Sequence, residues 1–353
     1  VRTEGEALPC NASLFFKNNI MVLIISSKKD GHIGSVTKYF DEHTAYGYTQ
    51  PIKWVRINIE DFATNLKLTI RPDSEESLIE VLDSKKSFQI NEITSVWYRK
   101  PDPVNLSHFK MEEAGIEYVE AEINEVILGL YALLNDKIWI NNPFTTRLSH
   151  RKLLQLQVAK NIGFEIPKTL ISNDERTVLT FAESLDWDIA IKSFGAISVT
   201  THEQNIQKQY GIWTRRLIKD ELLAVKNKIQ YSPTLYQQYI KKKFELRITC
   251  VGIEIFGCRI DSQENPETSE DMRFNVRSLK HQEFDCTLIK KMLHDYLNYF
   301  KINFGCFDIA VDENNKFVFF ECNPNGQWLW VEQLTGMKIS EAIANLLTSP
   351  ASR

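Results

Sequence analysis

The sequence predicts an α/β (or α+β) protein of two or more domains, and three observations carry that prediction. Short apolar or alternating runs read as strands, among them Met21–Ser26, Lys53–Ile59, Asn65–Arg71, Ser87–Ile90 and Ser95–Tyr98. Helix-period stretches alternate with them; over Met111–Asn135, Ile116, Val119, Ile123, Val126, Ile127, Leu130 and Leu134 recur at helical spacing. A chain of 353 residues is also too long for one typical core.

Hydrophobic content of 43% and charged content of 25% are those of a water-soluble globular protein. A formal net charge of -4 without a basic block disfavours a nucleic-acid partner. No apolar run approaches the roughly 20 residues needed to span a bilayer, so no membrane association is expected. Six cysteines are scattered without a CxxC pair, which suggests reduced thiols in a cytoplasmic protein rather than a disulfide frame or zinc site. Residues 1–20 precede a sharper start at MVLIISS and read as a disordered tail.

From residue 21 the chain reads strand, loop and helix to about His43, then the strands named above, then the long helix. KIWINNP closes a first domain, 21–143, with a strand and a proline break at Pro143. Ser149–Gly163 is a second helix, with Ser149 as candidate N-cap and Gly163 as stop. Strands Thr169–Ile171 and Ile189–Lys192 flank a short helix, and SFGAISVTTHEQNIQKQYGIW reads as polar and irregular. This middle region spans 144–234. The last region, 235–349, carries strands at Leu235–Ile240, Leu246–Cys250 and Ile253–Arg259, a mobile-loop composition at Gln263–Glu270, and helices at Thr287–Phe300 and Ile339–Leu347.

The stretch FGCFDIAVDENNKFVFFECNPNGQW predicts a hairpin, Phe304–Val311 and Phe317–Cys322, around DENNK. A turn symmetric about Asn314-Asn315 sets Asp308 opposite Glu321, with Asn323 on the same face. Phe307, Ile309, Val311, Val318 and Phe320 fall on the other, core face. Two facing carboxylates repel by up to ~1 kcal/mol. Either they are acids facing water, or with Asn323 they form a hard oxygen set for Mg²⁺. Lys152, at a helix start, and Lys192, at a strand end, are phosphate ligands or solvated lysines. In LYQQYIKKKFELRITCVG a strand breaks and resumes, so the backbone of Gln238, Tyr239 and Ile240 could read an adenine edge. Glu245 and Arg247 share a face; they suit ribose and phosphate, or form a surface pair on an edge strand. Arg273, beside Asp271, could clamp a carboxylate or phosphate. No Walker or dinucleotide fingerprint occurs.

In this order, these residues resemble the ATP-grasp superfamily. The closer resemblance is to the microviridin-type peptide maturases, or graspetide ligases, including the grasp-with-spasm branch. It is carried by VWYRKPDP (Val96–Pro103), RKLLQLQVAKNIGFEIPKTLISND (Arg151–Asp174), QQYIKKKFELRITCVG (Gln237–Gly252), RIDSQ (Arg259–Gln263) and ECNPNGQWLWVEQLTG (Glu321–Gly336). The resemblance implies a glutathione-synthetase-like ATP-grasp fold behind a pre-ATP-grasp domain. It implies ATP and Mg²⁺ as cofactors, with Lys152 and Lys192 on phosphates and Gln238, Tyr239 and Ile240 around adenine. Glu245 would lie on the ribose side and Arg247 on the transferred phosphate, while Asp308, Glu321 and Asn323 would hold the metal. Arg273 would face the acyl phosphate, with Asp271 as a candidate base. The implied partner is a precursor peptide with leader and core, whose Asp or Glu side chains are activated and closed into lactones or lactams. Such ligases are often homodimers. Two departures stand out: no glycine-rich flap follows Lys192, and DMR replaces the DWR of related maturases. A RimK- or glutathione-synthetase-like ligase would share the same ATP site. A non-catalytic ATP-binding module would have a degraded metal set, whereas Asp308, Glu321 and Asn323 are all present.

Overall fold

The computed structural model describes residues 20–42, 52–74, 76–194, 198–203, 206–211, 214–264, 268 and 276–348, except for the side chains of 198–203, 206–211 and 276. Residues 1–19 of the tail, most of the Gln263–Glu270 loop, and both Asp271 and Arg273 lie outside the described residues. The chain divides into two compact units, one ending at Phe144 and resuming at Lys338, the other spanning Thr145–Met337.

The first unit begins with β1 (Met21–Ser26), α1 (His32–Asp41) and β2 (Lys53–Ile57). β3 (Leu66–Thr69), β4 (Leu78–Val81) and β5 (Lys86–Gln89) follow, then β6 (Ser95–Arg99), α2 (Glu113–Leu133) and β7 (Ile138–Ile140). A parallel sheet has the order β2-β1-β6-β7. Its central strand reads as a continuous apolar run because both faces are covered: Val22, Leu23, Ile24 and Ile25 are all fully buried. β3, β4 and β5 form a separate antiparallel sheet. β4 is absent from the sequence reading, since LIEV is too short to show a period. Helix α2 buries only Ile127, Leu130 and Tyr131, so its apolar stripe works in the C-terminal half alone; Val126, one of the residues at helical spacing, is exposed. Tyr131 packs edge-on to Tyr98 and Trp139 at 5.8 and 5.9 Å.

Pro143 starts a helix rather than breaking the chain: α3 is Pro143–Ser149, with proline at a position where its missing N–H costs nothing. Ser149 therefore ends one helix instead of capping the next, and its hydroxyl donates back to Thr146 O at 3.0 Å. Helix α4 (Lys152–Ile162) starts after Arg151, which makes no side-chain cap, and stops at Gly163 in the left-handed conformation (φ 112°).

The second unit continues through β8 (Thr169–Ser172), α5 (Glu175–Glu183), β9 (Ile189–Lys192), β10 (Ser198–Glu203), β11 (Ile206–Gly211), β12 (Arg215–Leu217), α6 (Lys219–Val225) and β13 (Thr234–Gln238). The polar stretch read as irregular is in fact a hairpin, Ser198 opposite Gly211 and Glu203 opposite Ile206. A two-stranded ribbon needs no buried face, so it leaves no hydrophobic alternation to detect. The remaining elements are β14 (Lys242–Val251), β15 (Glu254–Ile260), β16 (His281–Phe284), α7 (Lys290–Phe300), β17 (Phe304–Asp312), β18 (Phe317–Asn323) and α8 (Leu329–Thr335). One sheet has the order β12-β9-β13-β8 and the other β16-β15-β14-β17-β18. Leu293, Tyr296, Leu297 and Phe300 of α7 seal the second sheet against Phe307, Ile309 and Phe319.

The last helix, α9 (Ile339–Thr348), belongs to the first unit, a correction to its assignment to 235–349. It packs on α1, β6 and β7, burying Ile339, Ile343, Leu346 and Leu347, and Ser340 Oγ meets Ser35 Oγ at 3.1 Å. Among the described residues no helix is long and apolar enough to cross a membrane.

Candidate active site

β17 and β18 place Asp308 opposite Glu321, as the sequence predicts, but by a different route. The turn is centred on Asn314: Val311 pairs with Phe317, Asn315 N–H donates to Asp312 O at 3.0 Å, and Asn315 is left-handed (φ 62°). Pairing then runs Ala310 to Val318 and Ile309 to Phe319, and Phe320 is an extra residue before Asp308 meets Glu321. The bulge offsets the one-residue error in the turn. It also corrects the predicted core face: Phe319 and Cys322 lie in the core with Phe307, Ile309 and Val311, whereas Val318 faces the other way and Phe320 is half-buried.

A row of charges crosses three strands. Arg247 on β14 is in register with Asp308, which is in register with Glu321. Arg247 Nη1 donates to Asp308 Oδ1 at 2.8 Å, and Lys152 Nζ at the start of α4 lies 3.2 Å from Glu321 Oε2. The order is therefore cation, anion, anion, cation, so each acid has its own counter-charge. Arg247 Nη2 also donates to Gln327 O at 3.0 Å, tying the row to the loop after β18. Burial, the largest cause, would lower the Arg247 pKa, but Asp308, Cys306 and Glu321 together raise it and keep the guanidinium charged. Burial pushes the Asp308 carboxyl up, Arg247 opposes this, and Glu321 adds to the rise.

Lys192 ends β9 with its ammonium 4.3 Å from the Phe320 ring centroid. Burial, the largest cause, pushes it down to about 8; Glu321 opposes, while Lys152 and Lys242 lower it further. Among the described residues no carboxylate lies within ion-pair distance of it, so a multiply charged anion would find an uncompensated cation here. Glu245 and Arg247 are both nearly buried on β14, a central strand, which excludes the edge-strand surface pair. Glu245 Oε1 takes Lys242 Nζ at 2.9 Å and Ser262 Oγ at 2.8 Å, leaving Oε2 toward other partners.

The strand break falls at Tyr239–Lys241, but two of its three candidate amides are already used. Gln238 N–H donates to Lys168 O at 2.9 Å and Tyr239 N–H to Asp188 O at 3.1 Å; the Ile240 N–H has no acceptor among the described residues and could face a base. A groove of about 920 Å³ opens beside the hinge, lined by Gln238, Tyr239, Ile240, Trp187, Asp188 and Arg216, among others. Arg216 holds Asp188 through two bonds of 2.6 and 2.9 Å and lies 4.3 Å over the Tyr239 ring. Asp308 and Glu321 do not line this groove.

Asp308, Glu321 and Asn323 offer two carboxylates and an amide oxygen. Among the described residues no cluster of three or more His, Cys, Asp or Glu forms a metal cage. That incomplete, all-oxygen donor set fits Mg²⁺, which completes its shell with water and phosphate, and does not fit a structural zinc. Asn323 Oδ1 is aimed by Asn325 N–H at 3.0 Å and keeps a second lone pair. Sequence reasoning missed Lys242, Ser262, Asp188, Arg216 and Gln155; all but Lys242, which meets Glu245 three residues on, act through partners 17 or more residues away. The KKK run before ELR was a local signal for Lys242, whose partner Glu245 lies within the same stretch.

Residues 21–147 match the family model described as the MvdD pre-ATP grasp domain. No curated protein matches the chain. Among solved structures, a RiPP-associated ATP-grasp ligase of Chryseobacterium gregarium, in complex with ADP and a leader and core peptide, is 25% identical with a TM-score of 0.79, covering 93% of this chain and 96% of that one. Macrocyclase MdnC from Microcystis aeruginosa MRC, bound with precursor peptide MdnA, is 27% identical with a TM-score of 0.77, covering 92% and 98%. Macrocyclase MdnB from the same source, at 21% identity and TM-score 0.70 over 93% and 98%, adds the fold alone. The chain has the ATP-grasp fold, fronted by a pre-ATP-grasp domain of the MvdD kind. Within that class it is similar to a ligase and a macrocyclase that were both solved with bound peptides.

Proposed function

We propose that this chain is an ATP-dependent ligase that activates Asp or Glu side-chain carboxylates of a ribosomal precursor peptide and closes lactone or lactam rings. The observation that carries the reading is the row Arg247–Asp308–Glu321–Lys152 with Lys192 beside it, set in a fold shared with two ligases solved with precursor peptides. When bound, ATP supplies the phosphoryl group that activates the carboxylate, and Mg²⁺ neutralises phosphate charge.

In this reading Asp308, Glu321 and Asn323 hold the metal, and Lys152 and Lys192 hold phosphate oxygens. Gln238, Tyr239 and Ile240 border the base, through carbonyls and the Ile240 amide, and Glu245 offers Oε2 to the ribose. Arg247 orients Asp308 and keeps positive charge beside the reacting phosphate, while Arg273 faces the acyl phosphate or peptide carboxylate and Asp271 is the candidate base. The work of the chain is positioning and charge neutralisation. The location we propose is the cytoplasm, consistent with Cys250, Cys258, Cys286, Cys306 and Cys322 being buried free thiols.

The test is to incubate the protein with ATP, Mg²⁺ and the peptide encoded beside its gene, then weigh the product. The peptide should lose one water per crosslink, and only with its leader attached, because leader docking raises the local concentration of the core. An unchanged peptide alongside ligation of free amino acids would assign the chain to the RimK-like class instead.

Lys192 sets the pH dependence. Its folded pKa of about 8 lies below the 10.5 of an ordinary lysine, so between those values the unfolded chain binds the extra proton and stability rises with pH. Nucleotide binding runs the other way. Below about pH 8 the ammonium is charged before and after binding; above it, phosphates must recruit the proton. ADP affinity measured calorimetrically should be flat below pH 8 and then fall by up to ~tenfold per pH unit, with proton uptake. Lys192→Arg should remove the dependence, and a flat wild-type profile to about pH 9 would refute phosphate contact by Lys192.

A further inference from the structure

β18 is the outer strand of its sheet, so the backbone of alternate residues points away from β17, and among the described residues no named strand pairs with that edge beyond an isolated bridge of Glu165 to Val318. At Cys322, between Glu321 and Asn323, that backbone is met by a side chain. Gln155 is buried on α4; its Oε1 accepts from Cys322 N–H at 3.0 Å and its Nε2 donates to Cys322 O at 2.8 Å. The second Nε2 proton goes to Ser149 O at 2.5 Å. The amide can sit only this way round, since the reverse orientation would set its oxygen against two carbonyls. One side chain thus reproduces the pair of bonds that a neighbouring strand would make.

Gln155 lies three residues after Lys152, on the same face of α4. The helix therefore grips two consecutive residues of β18: Lys152 takes the Glu321 carboxylate and Gln155 takes the Cys322 backbone. The clamp also falls just beyond the bulge at Phe320, where ladder pairing is interrupted and β18 is least held by β17. We infer that Gln155 is a positioning residue: by fixing the Cys322 backbone it sets the reach and angle of Glu321 and Asn323 toward a divalent cation. This rests on the metal assignment proposed above.

Gln155→Met keeps the volume and deletes all three bonds. Leu156→Ala, a buried change at the next position on α4, serves as a control of comparable destabilisation. Two measurements separate the possibilities. The first is amide exchange at Cys322 in the nucleotide-free protein, which does not depend on any functional reading. It should quicken by ~tenfold or more in Gln155→Met and stay unchanged in Leu156→Ala, because only the first loses the acceptor. The second is Mn²⁺ affinity in the presence of ADP, read by paramagnetic resonance. It should weaken by ~10-fold or more in Gln155→Met, the usual effect of removing a group that orients a metal ligand, while metal-free ADP affinity stays within about twofold.

Unchanged exchange at Cys322 would overturn the clamp itself. Fast exchange with unchanged Mn²⁺ affinity would overturn the positioning role, as would equal loss of Mn²⁺ affinity in Leu156→Ala. Wild-type protein that binds ADP but no Mn²⁺ would overturn the metal assignment and this inference with it, while the exchange result would still report on the clamp.

Discussion

Asp308→Asn and Glu321→Gln should both abolish ATP turnover, yet they should move stability differently. Each deletes one of two carboxylates facing across β17 and β18, and metal charge stabilisation is worth several kcal/mol, so losses of ~10²-fold or more are expected. Their partners differ. Arg247 is 9% exposed and Asp308 19%, so Asp308→Asn leaves a nearly buried guanidinium without its counter-ion. Breaking such a pair costs about 3–5 kcal/mol at most, and about 2–3 here because the amide oxygen still accepts from Nη1. Glu321 is 35% exposed and its partner Lys152 26%, a pair in the weak range of ~0–1 kcal/mol. Its removal also relieves repulsion of Asp308, so Glu321→Gln should unfold within about 0.5 kcal/mol of wild type. From the sequence alone, both substitutions would relax a repelling pair; Arg247 is what separates them. Urea denaturation beside a phosphate-release assay reads both effects. Full turnover by Asp308→Asn, or equal destabilisation by the two variants, would refute the arrangement.

Gly326→Ala should be nearly as damaging to turnover, although position 326 carries no chemistry. A methyl there would lie 2.4 Å from Cys306 Cβ, 2.6 Å from its sulfur and 3.0 Å from Arg247 Nη2. Cys306 is fully buried in β17 and cannot retreat, so the loop and the guanidinium must move. Overpacking of this kind costs ~1–3 kcal/mol. Moving Arg247 off Asp308 and Gln327 by even a fraction of an ångström should cost turnover on the order of 10²-fold, as misplacement at reacting centres does. The double variant Gly326→Ala, Cys306→Gly removes both Cys306 atoms that the methyl meets and should recover part of the turnover. Recovery of fold without activity would show that contact with Arg247, rather than with Cys306, is decisive.

What was legible in the sequence is what local periodicity encodes. The β17–β18 hairpin, Lys152 at a helix start, Lys192 at a strand end and the break after Gln238 all follow from runs of ten residues or so. Where two local rules met, errors arose: Ser149 has a capping residue's chemistry but is already helical, because PFTTRLS makes its own short helix. The β10–β11 ribbon lacked the apolar alternation that betrays a half-buried strand. Pairings such as Arg247 with Asp308, 61 residues apart, or Gln155 with Cys322, 167 apart, depend on sheet order and helix placement, which no short window contains. Even the correct facing of Asp308 and Glu321 came from a turn centred half a residue away and a bulge that local reading does not detect.

The outer edge of β18 has a consequence for colloidal behaviour as well. FVFFECN is an apolar strand at a sheet margin, the kind of segment that recruits strands from other molecules and seeds aggregation. Two caps deny it that role: Glu165 O takes Phe319 N–H at 2.8 Å, and the Gln155 amide takes Cys322. Polar groups of α4 and of the segment after it thus occupy the edge that a second chain would need, so the protein keeps a sticky strand next to its charged row without offering it to its neighbours.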